Sequence, residues 1–225
     1  NRGPDPVLEH DSAGAFVWAI AEYYRYTRDV GFLTELWPHV VRAVDYLAGL
    51  RERRTTEEFS TDEKQVFYGL LPESISHEGY SDKAAYSYWD DFWALRGYKD
   101  ALLIARALGH ETEAQRWSAW KNSFARELAA SIVATAAHHR IDFIPGAADR
   151  GDFDPTSTTI ALNPVQAELP PALLAATFER YWRESLARAE GKREWKDYTP
   201  YELRSVGALA RMGQGSRAHA MLDFF

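Results

Sequence analysis

Two adjacent carboxylates, Asp90 and Asp91, lie inside a run of large aromatic residues, Tyr-Trp-Asp-Asp-Phe-Trp at residues 88–93. Aromatic neighbours withdraw a carboxyl group from water, which raises its pKa, and a second carboxylate raises one of the pair further. Such an acid stays protonated near neutral pH and can donate a proton in catalysis. Trp89 and Trp93 add flat apolar faces on which a sugar ring can lie. The competing interpretation is a helix N-terminus, where the dipole favours aspartate and the rings belong to the core.

Two loops carry further polar residues that could bind a ligand. Residues 69–80, Gly-Leu-Leu-Pro-Glu-Ser-Ile-Ser-His-Glu-Gly-Tyr, offer Glu73 and His77 as hydrogen-bonding partners for sugar hydroxyl groups. Asp154 lies in Gly-Asp-Phe-Asp-Pro-Thr-Ser-Thr at residues 151–158, where a substrate contact competes with an ordinary turn. His77 and its neighbouring glutamate supply too few ligands for a metal site. We therefore expect neither a metal nor another cofactor.

Composition excludes several classes of protein. The chain has 225 residues, 33 acidic and 26 basic, with a net charge of −7 and no cysteine. A nucleic-acid partner is not expected, because phosphates demand a basic patch. Thiolate catalysis and disulfides are excluded, and the redox compartment stays undetermined. No apolar run approaches the roughly 20 residues that a transmembrane helix needs, so no membrane partner is expected.

The spacing of apolar residues predicts an all-α protein, because it follows the helical period through most of the chain and strand-like alternation is nearly absent. Seven helices are predicted, at about 12–27, 37–54, 87–108, 111–136, 170–189, 199–213 and 216–225. Asp11 or the serine after it is the expected N-cap of the first helix. Pro38 is expected in the first turn of the second helix, where proline is tolerated.

The helices fall into antiparallel hairpins with short turns at Gly31, Gly109 and Gly213. When such hairpins stack, the tight turns share one end of the assembly, and the long loops 55–86 and 137–169 share the other. The first helix of each pair then begins at the long-loop end. Residues near those helix starts are therefore expected to gather on one face: Asp11, Asp90, Asp91, Tyr201 and Glu202. For Glu202 alone, capping of its helix is the competing role.

The aspartate pair with its aromatic neighbours, the Leu-Pro-Glu-Ser loop and the helix ending Ala-Leu-Gly at 107–109 resemble the six-hairpin glycosidases. This superfamily, which includes glucoamylases, trehalases and bacterial α-L-rhamnosidases, folds as an (α/α)6 toroid. The resemblance implies that Asp90 is the general acid and that Asp91 is a substrate ligand. It also marks a departure, since glucoamylases have glutamates at this position and aspartate is one methylene shorter.

A toroid of twelve helices with long loops needs well over ~300 residues. The resemblance thus predicts that residues 1–225 form one partial catalytic domain, with further hairpins outside this chain. An inverting mechanism, which we expect, needs a base roughly 6.5–9.5 Å from the acid. Glu202 and Glu73 are the candidates within the chain.

We therefore predict a glycoside hydrolase that acts on an oligosaccharide or glycoside. The predicted catalytic residues are Asp90 and Glu202, and the predicted substrate-binding residues are Asp91, Glu73, His77, Trp89, Trp93, Asp154 and Asp11. Two alternatives stay open: a toroid phosphorylase or lyase, and a non-catalytic helical scaffold that binds glycan or protein.

Overall fold

The fold is known from a computed structural model that describes residues 9–75, 80, 83–194 and 200–225. Its regular structure in these residues is helical, which confirms the all-α prediction. The α-helices are α1 Ser12–Thr27, α2 Val30–Glu52, α3 Tyr88–Leu108, α4 Glu111–His139, α5 Pro155–Leu162, α6 Pro171–Ala189, α7 Arg204–Arg211 and α8 Gly215–Phe224. Three short 3-10 helices span Glu57–Ser60, Gln65–Phe67 and Pro200–Leu203. Among the described residues, no helix combines the length and apolarity needed to cross a bilayer.

The helices pack in consecutive pairs, and the first members of the pairs also pack on one another. Helix α1 packs on α2, α3 on α4, α5 on α6 and α7 on α8. Contacts also run from α1 to α3, from α3 to α5 and from α5 to α7. Short connections force the α1–α2 and α3–α4 pairs to be antiparallel. The result is two layers of helices, with the odd-numbered helices in one of them.

The turn between α1 and α2 differs from the prediction. Arg28 adopts the left-handed conformation with φ of 58°, and Asp29 caps α2 by accepting the N–H of Phe32 at 2.9 Å. Helix α2 therefore begins at Val30, seven residues before the predicted start. The prediction that Gly31 forms the turn is wrong, since Gly31 lies in the first turn of α2. Pro38 lies inside that helix and not in its first turn.

The second half of the chain contains a helix that the sequence pattern did not reveal. Residues 137–169 were predicted to be a loop, yet α5 occupies Pro155–Leu162 within them. Its N-cap is Asp154, and Pro155 occupies the first helical position, where its missing N–H has no effect. Helix α5 supplies the first member of another hairpin, so the predicted three hairpins become four. The predicted sixth helix divides into the 3-10 turn at Pro200–Leu203 and α7.

Helix α3 is buried on all sides, because α1, α2, α4 and α5 surround it. Its closest approach to α1 occurs at Gly14, where an added Cβ would lie 2.0 Å from the carbonyl oxygen of Trp93. An added Cβ on Gly97 would likewise lie only 2.8 Å from the Cα of Gly14. Glycines at the crossing let the two backbones touch. The first turns of α1 and α3 are thereby brought side by side, which positions the candidate site.

Candidate functional site

The start of α3 is anchored on two sides, by α4 and by the loop that contains Gly146. The Tyr88 hydroxyl lies 2.8 Å from the Ser131 hydroxyl and 2.9 Å from that of Thr135, both on α4. The Tyr88 N–H donates to the carbonyl of Gly146 at 3.0 Å. A buried tyrosine with its hydroxyl satisfied in this way fixes the helix rotation. The next residue pair, Asp90 and Asp91, is consequently held in one orientation.

Asp90 is a buried acid with one free oxygen. Its side chain is 1% exposed, and Oδ2 accepts the hydroxyl of Ser74, while Oδ1 has no hydrogen-bond partner among the described residues. Burial raises the pKa of Asp90 to about 7, helped by the charges of Asp11 and Glu9 and opposed by hydrogen bonds from Ser74 and the His10 backbone. The carboxyl group is therefore partly protonated at neutral pH.

Asp91 faces a different part of the protein. Its Oδ1 accepts the N–H of Leu71 at 2.9 Å, and burial together with the charge of Asp90 raises its pKa well above the ordinary value. This contact fastens the apolar part of the 69–75 loop to α3. Asp91 thus has a role in positioning the loop, and a contact of Asp91 with substrate stays a prediction.

The loop that Asp91 fastens brings Ser74 and Glu73 to the acid. Ser74 exchanges two backbone hydrogen bonds with Ala85, at 2.9 and 2.8 Å, so the loop is pinned on both sides. Glu73 forms an ion pair with Arg54, whose Nε also donates to the Tyr86 hydroxyl at 3.0 Å. Burial alone would raise the pKa of Glu73, but its own backbone N–H and Arg54 outweigh burial and lower the pKa. His77, in the same loop, lies outside the described residues.

Tryptophan rings connect the start of α3 with α1 and α7. The indole N–H of Trp89 donates to Asp11 Oδ2 at 2.9 Å, which joins the starts of α1 and α3. Trp93 packs edge-on against Trp89 at 6.0 Å between ring centroids and lies 5.3 Å from Trp18. The guanidinium of Arg204 lies 4.8 Å from the Trp89 ring centroid. The start of α7 therefore reaches the same place as the starts of α1 and α3.

Glu202 lies two residues before the start of α7, but its carboxylate contacts α6. Its two oxygens accept both terminal nitrogens of Arg188 at 2.7 Å and the Tyr181 hydroxyl at 2.6 Å. The carboxylate is 6% exposed. Both oxygens are thus engaged in a buried network with α6, which favours a structural role. A catalytic role for Glu202 stays a prediction, and these contacts do not favour it.

Asp154 also has its side chain occupied by its own helix. It accepts the N–H of Ser157 at 3.1 Å and the Thr156 hydroxyl at 2.6 Å, as an N-cap does. Beside it, the Tyr80 hydroxyl donates to Asp152 at 2.9 Å. A Cβ on Gly146 would lie within 3 Å of all three of these loop side chains, so the backbone passes closely between them. The described residues contain no cluster of three or more metal-ligating side chains.

Of the predicted residues, Asp11, Trp89 and Asp90 come together, with Trp93 and Asp91 adjoining them, whereas Glu73 contacts Arg54 and Tyr86. Sequence reasoning missed Ser74 and His10, which both form hydrogen bonds with the Asp90 carboxyl. Ser74 stood inside the loop that the sequence had marked. His10 precedes the predicted N-cap Asp11, and a histidine beside an aspartate at a helix start was the available signal.

Comparison of the chain with models of known protein families, with curated proteins and with solved structures gave no match.

Proposed function

We propose that the protein is a glycoside hydrolase in which Asp90 is the general acid. One observation carries the proposal: a buried carboxyl group with a pKa of about 7 and one unpaired oxygen lies in the first turn of α3, where Trp89 joins the starts of α1 and α3. A general acid works best when its pKa lies near the operating pH, because it is then both protonated and able to give up the proton. Tryptophan faces give a sugar ring an apolar surface to lie on.

The hydrogen bonds of Asp90 assign its proton to one oxygen. Ser74 donates its hydroxyl hydrogen to Oδ2, so the proton of the neutral acid resides on Oδ1, which has no partner among the described residues. From Oδ1 the proton passes to the glycosidic oxygen as the bond to the anomeric carbon breaks. The ionised Asp90 left behind accepts hydrogen bonds from Ser74 and from the His10 backbone, which stabilise its charge.

Glu73 is the better candidate for the basic partner. Acid and base are distinguished by environments that push their pKa values apart. The pKa of Asp90 is raised by burial, whereas that of Glu73 is held down by its own backbone N–H and by Arg54 against the effect of burial. Glu73 therefore stays ionised when Asp90 is protonated. Its side chain is 42% exposed, so a water molecule can reach it, as inverting hydrolysis requires.

The helix packing supports an (α/α)6 toroid as the architecture of the complete domain. The described residues form four consecutive helix pairs, and the odd-numbered helices pack successively on one another. In a toroid those helices form the inner ring, and their starts surround one mouth. Further hairpins outside this chain would complete the ring. Asp11, Asp90 and Arg204 lie at the starts of α1, α3 and α7, and Trp89 contacts both Asp11 and Arg204.

Turnover of a panel of 4-nitrophenyl glycosides by the full-length protein tests the proposal. Asp90→Asn keeps the shape of the side chain and is expected to lower kcat by about 100-fold or more. The matched control is Asp100→Asn, because Asp100 is equally buried in α3 but pairs with Arg25 and Arg96 away from the site. The folded control variant is expected to keep its kcat.

Three results would contradict the proposal. Near-normal turnover by Asp90→Asn would remove Asp90 from the chemistry. Product formation that depends on inorganic phosphate would indicate a phosphorylase, and absorbance of an unsaturated sugar would indicate a lyase.

A further inference from the structure

His10 is a buried side chain with one ring nitrogen, Nδ1, that has no hydrogen-bond partner in the part of the chain that the structure describes. The residue is 3% exposed and lies two positions before α1. Its Nδ1 is fully buried and has no hydrogen-bond partner among the described residues, although the ring contacts the backbone of Glu9. Native proteins pair most buried polar groups, because an unpaired one costs free energy. A buried ring nitrogen without a partner is therefore a candidate contact for a ligand.

The position of His10 connects it to the acid. Its backbone N–H donates a hydrogen bond to the Asp90 carboxyl. The next residue, Asp11, accepts the indole N–H of Trp89. Asp90 Oδ1 is a second buried polar atom without a hydrogen-bond partner within the described chain. Two unpaired polar atoms on segments that touch each other point to one ligand that contacts both.

The surroundings determine what His10 can bind. Burial first, and then the positive charge of Arg53 and more weakly of Arg54, lower the pKa of His10, against its backbone contact and Asp11. The ring is therefore neutral at neutral pH, with one nitrogen that donates and one that accepts. This pair of functions complements a hydroxyl group, which also donates and accepts. A cationic ring would instead have selected a carboxylate or phosphate.

We propose that His10 is a substrate-binding residue that binds a hydroxyl group of an uncharged sugar, adjacent to the glycosidic oxygen at Asp90 Oδ1. This inference rests on the proposed function for the identity of the site and adds the substrate class, neutral glycosides. Uronic acid and sugar phosphate glycosides are expected to be poorer substrates.

Three variants of His10 test the inference. His10→Phe keeps a ring and removes both nitrogens, His10→Asn keeps a polar atom near the Nδ1 position, and His10→Gln keeps one near the Nε2 position. KM is measured on the neutral 4-nitrophenyl glycoside that the wild type hydrolyses best. Binding of free glucose, galactose, mannose and rhamnose is measured by tryptophan fluorescence. His110→Phe is the control, because that ring stacks on Trp37 at the turn end of α3 and α4.

His10→Phe is expected to raise KM and weaken sugar binding about tenfold, the effect of losing one or two neutral hydrogen bonds. One of the two amide variants should recover most of that loss, a recovery that a merely structural role would not give. Unchanged KM and binding in a folded His10→Phe protein would overturn the inference. If His10→Phe does not fold, equal and wild-type KM values for the Asn and Gln variants would overturn it.

Failure of this inference differs from failure of the proposed function. If Asp90→Asn abolishes turnover while the His10 variants bind and turn over normally, only the role of His10 is wrong. If the wild type hydrolyses no glycoside but binds neutral sugar in a His10-dependent way, the hydrolase proposal is wrong and the sugar site remains.

Discussion

Replacing Asp90 by asparagine should change how the stability of the protein depends on pH. Asparagine keeps an oxygen that can accept the Ser74 hydroxyl, but it does not titrate. In the wild type the folded-state pKa of Asp90 is raised from 3.8 to about 7. Between these two pH values the unfolded chain has lost the proton and the folded chain still binds it. Wild-type stability from this group is therefore greatest below pH 3.8, declines as pH rises to about 7 and is constant above.

The size of the effect follows from the same two values. Each rise of one pH unit within this window lowers the free energy of unfolding by about 1.4 kcal/mol. Ionising Asp90 in its buried site therefore costs on the order of 4 kcal/mol by pH 8. The asparagine variant lacks this cost. Its free energy of unfolding relative to the wild type should rise by up to about 4 kcal/mol between pH 4 and pH 8. Groups away from Asp90 titrate alike in both proteins and cancel in the difference, whereas Asp91 loses a charge that helps to raise its pKa, which adds to the divergence.

Urea unfolding at pH 4 to 8, followed by tryptophan fluorescence and circular dichroism, measures this difference. The two stability curves should diverge with increasing pH and run parallel above about pH 7. Curves that stay parallel over the whole range would refute the reasoning, because Asp90 would then have the same pKa in the folded and unfolded chains.

Three further substitutions test the surroundings of the site. Ser74→Ala removes a hydrogen bond that lowers the pKa of Asp90, so the alkaline limb of the turnover profile should move to higher pH; a shift to lower pH would contradict this. Gly14→Ala places a methyl group against the backbone of α3, which should cost about 1–3 kcal/mol of stability in urea unfolding, and an unchanged midpoint would disagree. Glu202→Gln breaks the buried pair with Arg188, so it should cost about 3–5 kcal/mol while kcat of the folded protein is retained; a large loss of kcat with normal stability would instead make Glu202 catalytic.

Helix α3 could be predicted closely because several local signals agree there. Apolar residues at helical spacing begin after Ser87, and the helix ends at Gly109, which adopts φ of 76° as a C-terminal glycine does. The start of α2 was misplaced because Gly31 and Pro38 looked like breakers. The cap formed by Asp29 and the left-handed Arg28 overrode them, since they complete the turn before Gly31 is reached.

Helix α5 escaped prediction for a physical reason. Most of its residues are buried, and serine and threonine take up several of the buried positions, so no polar face gives it an amphipathic pattern. Asp154 followed by Pro155 is an N-cap and first-turn pair, and that local signal was present. It was interpreted as a turn because a helix start and a turn use the same residues.

The sequence predicted the buried acid at the centre of the site but not the residues that contact it. Burial of Asp90 follows from its aromatic neighbours in the sequence, and its raised pKa follows from burial. The contacts with Ser74 and His10 join segments 16 and about 80 residues away, which the loop fastened by Asp91 and the packing of α1 on α3 bring to Asp90. Likewise, Glu202 appeared free in the sequence because Arg188 approaches it from another helix.

The most direct test of Asp90 as the general acid compares leaving groups. The ratio of wild-type to Asp90→Asn kcat/KM is measured for aryl glycosides of one sugar whose phenols range from strongly to weakly acidic. A strongly acidic phenol leaves without a proton, so the ratio should stay below about 10, whereas a weakly acidic one should give about 100 or more. A ratio that is the same for all leaving groups would contradict proton donation by Asp90.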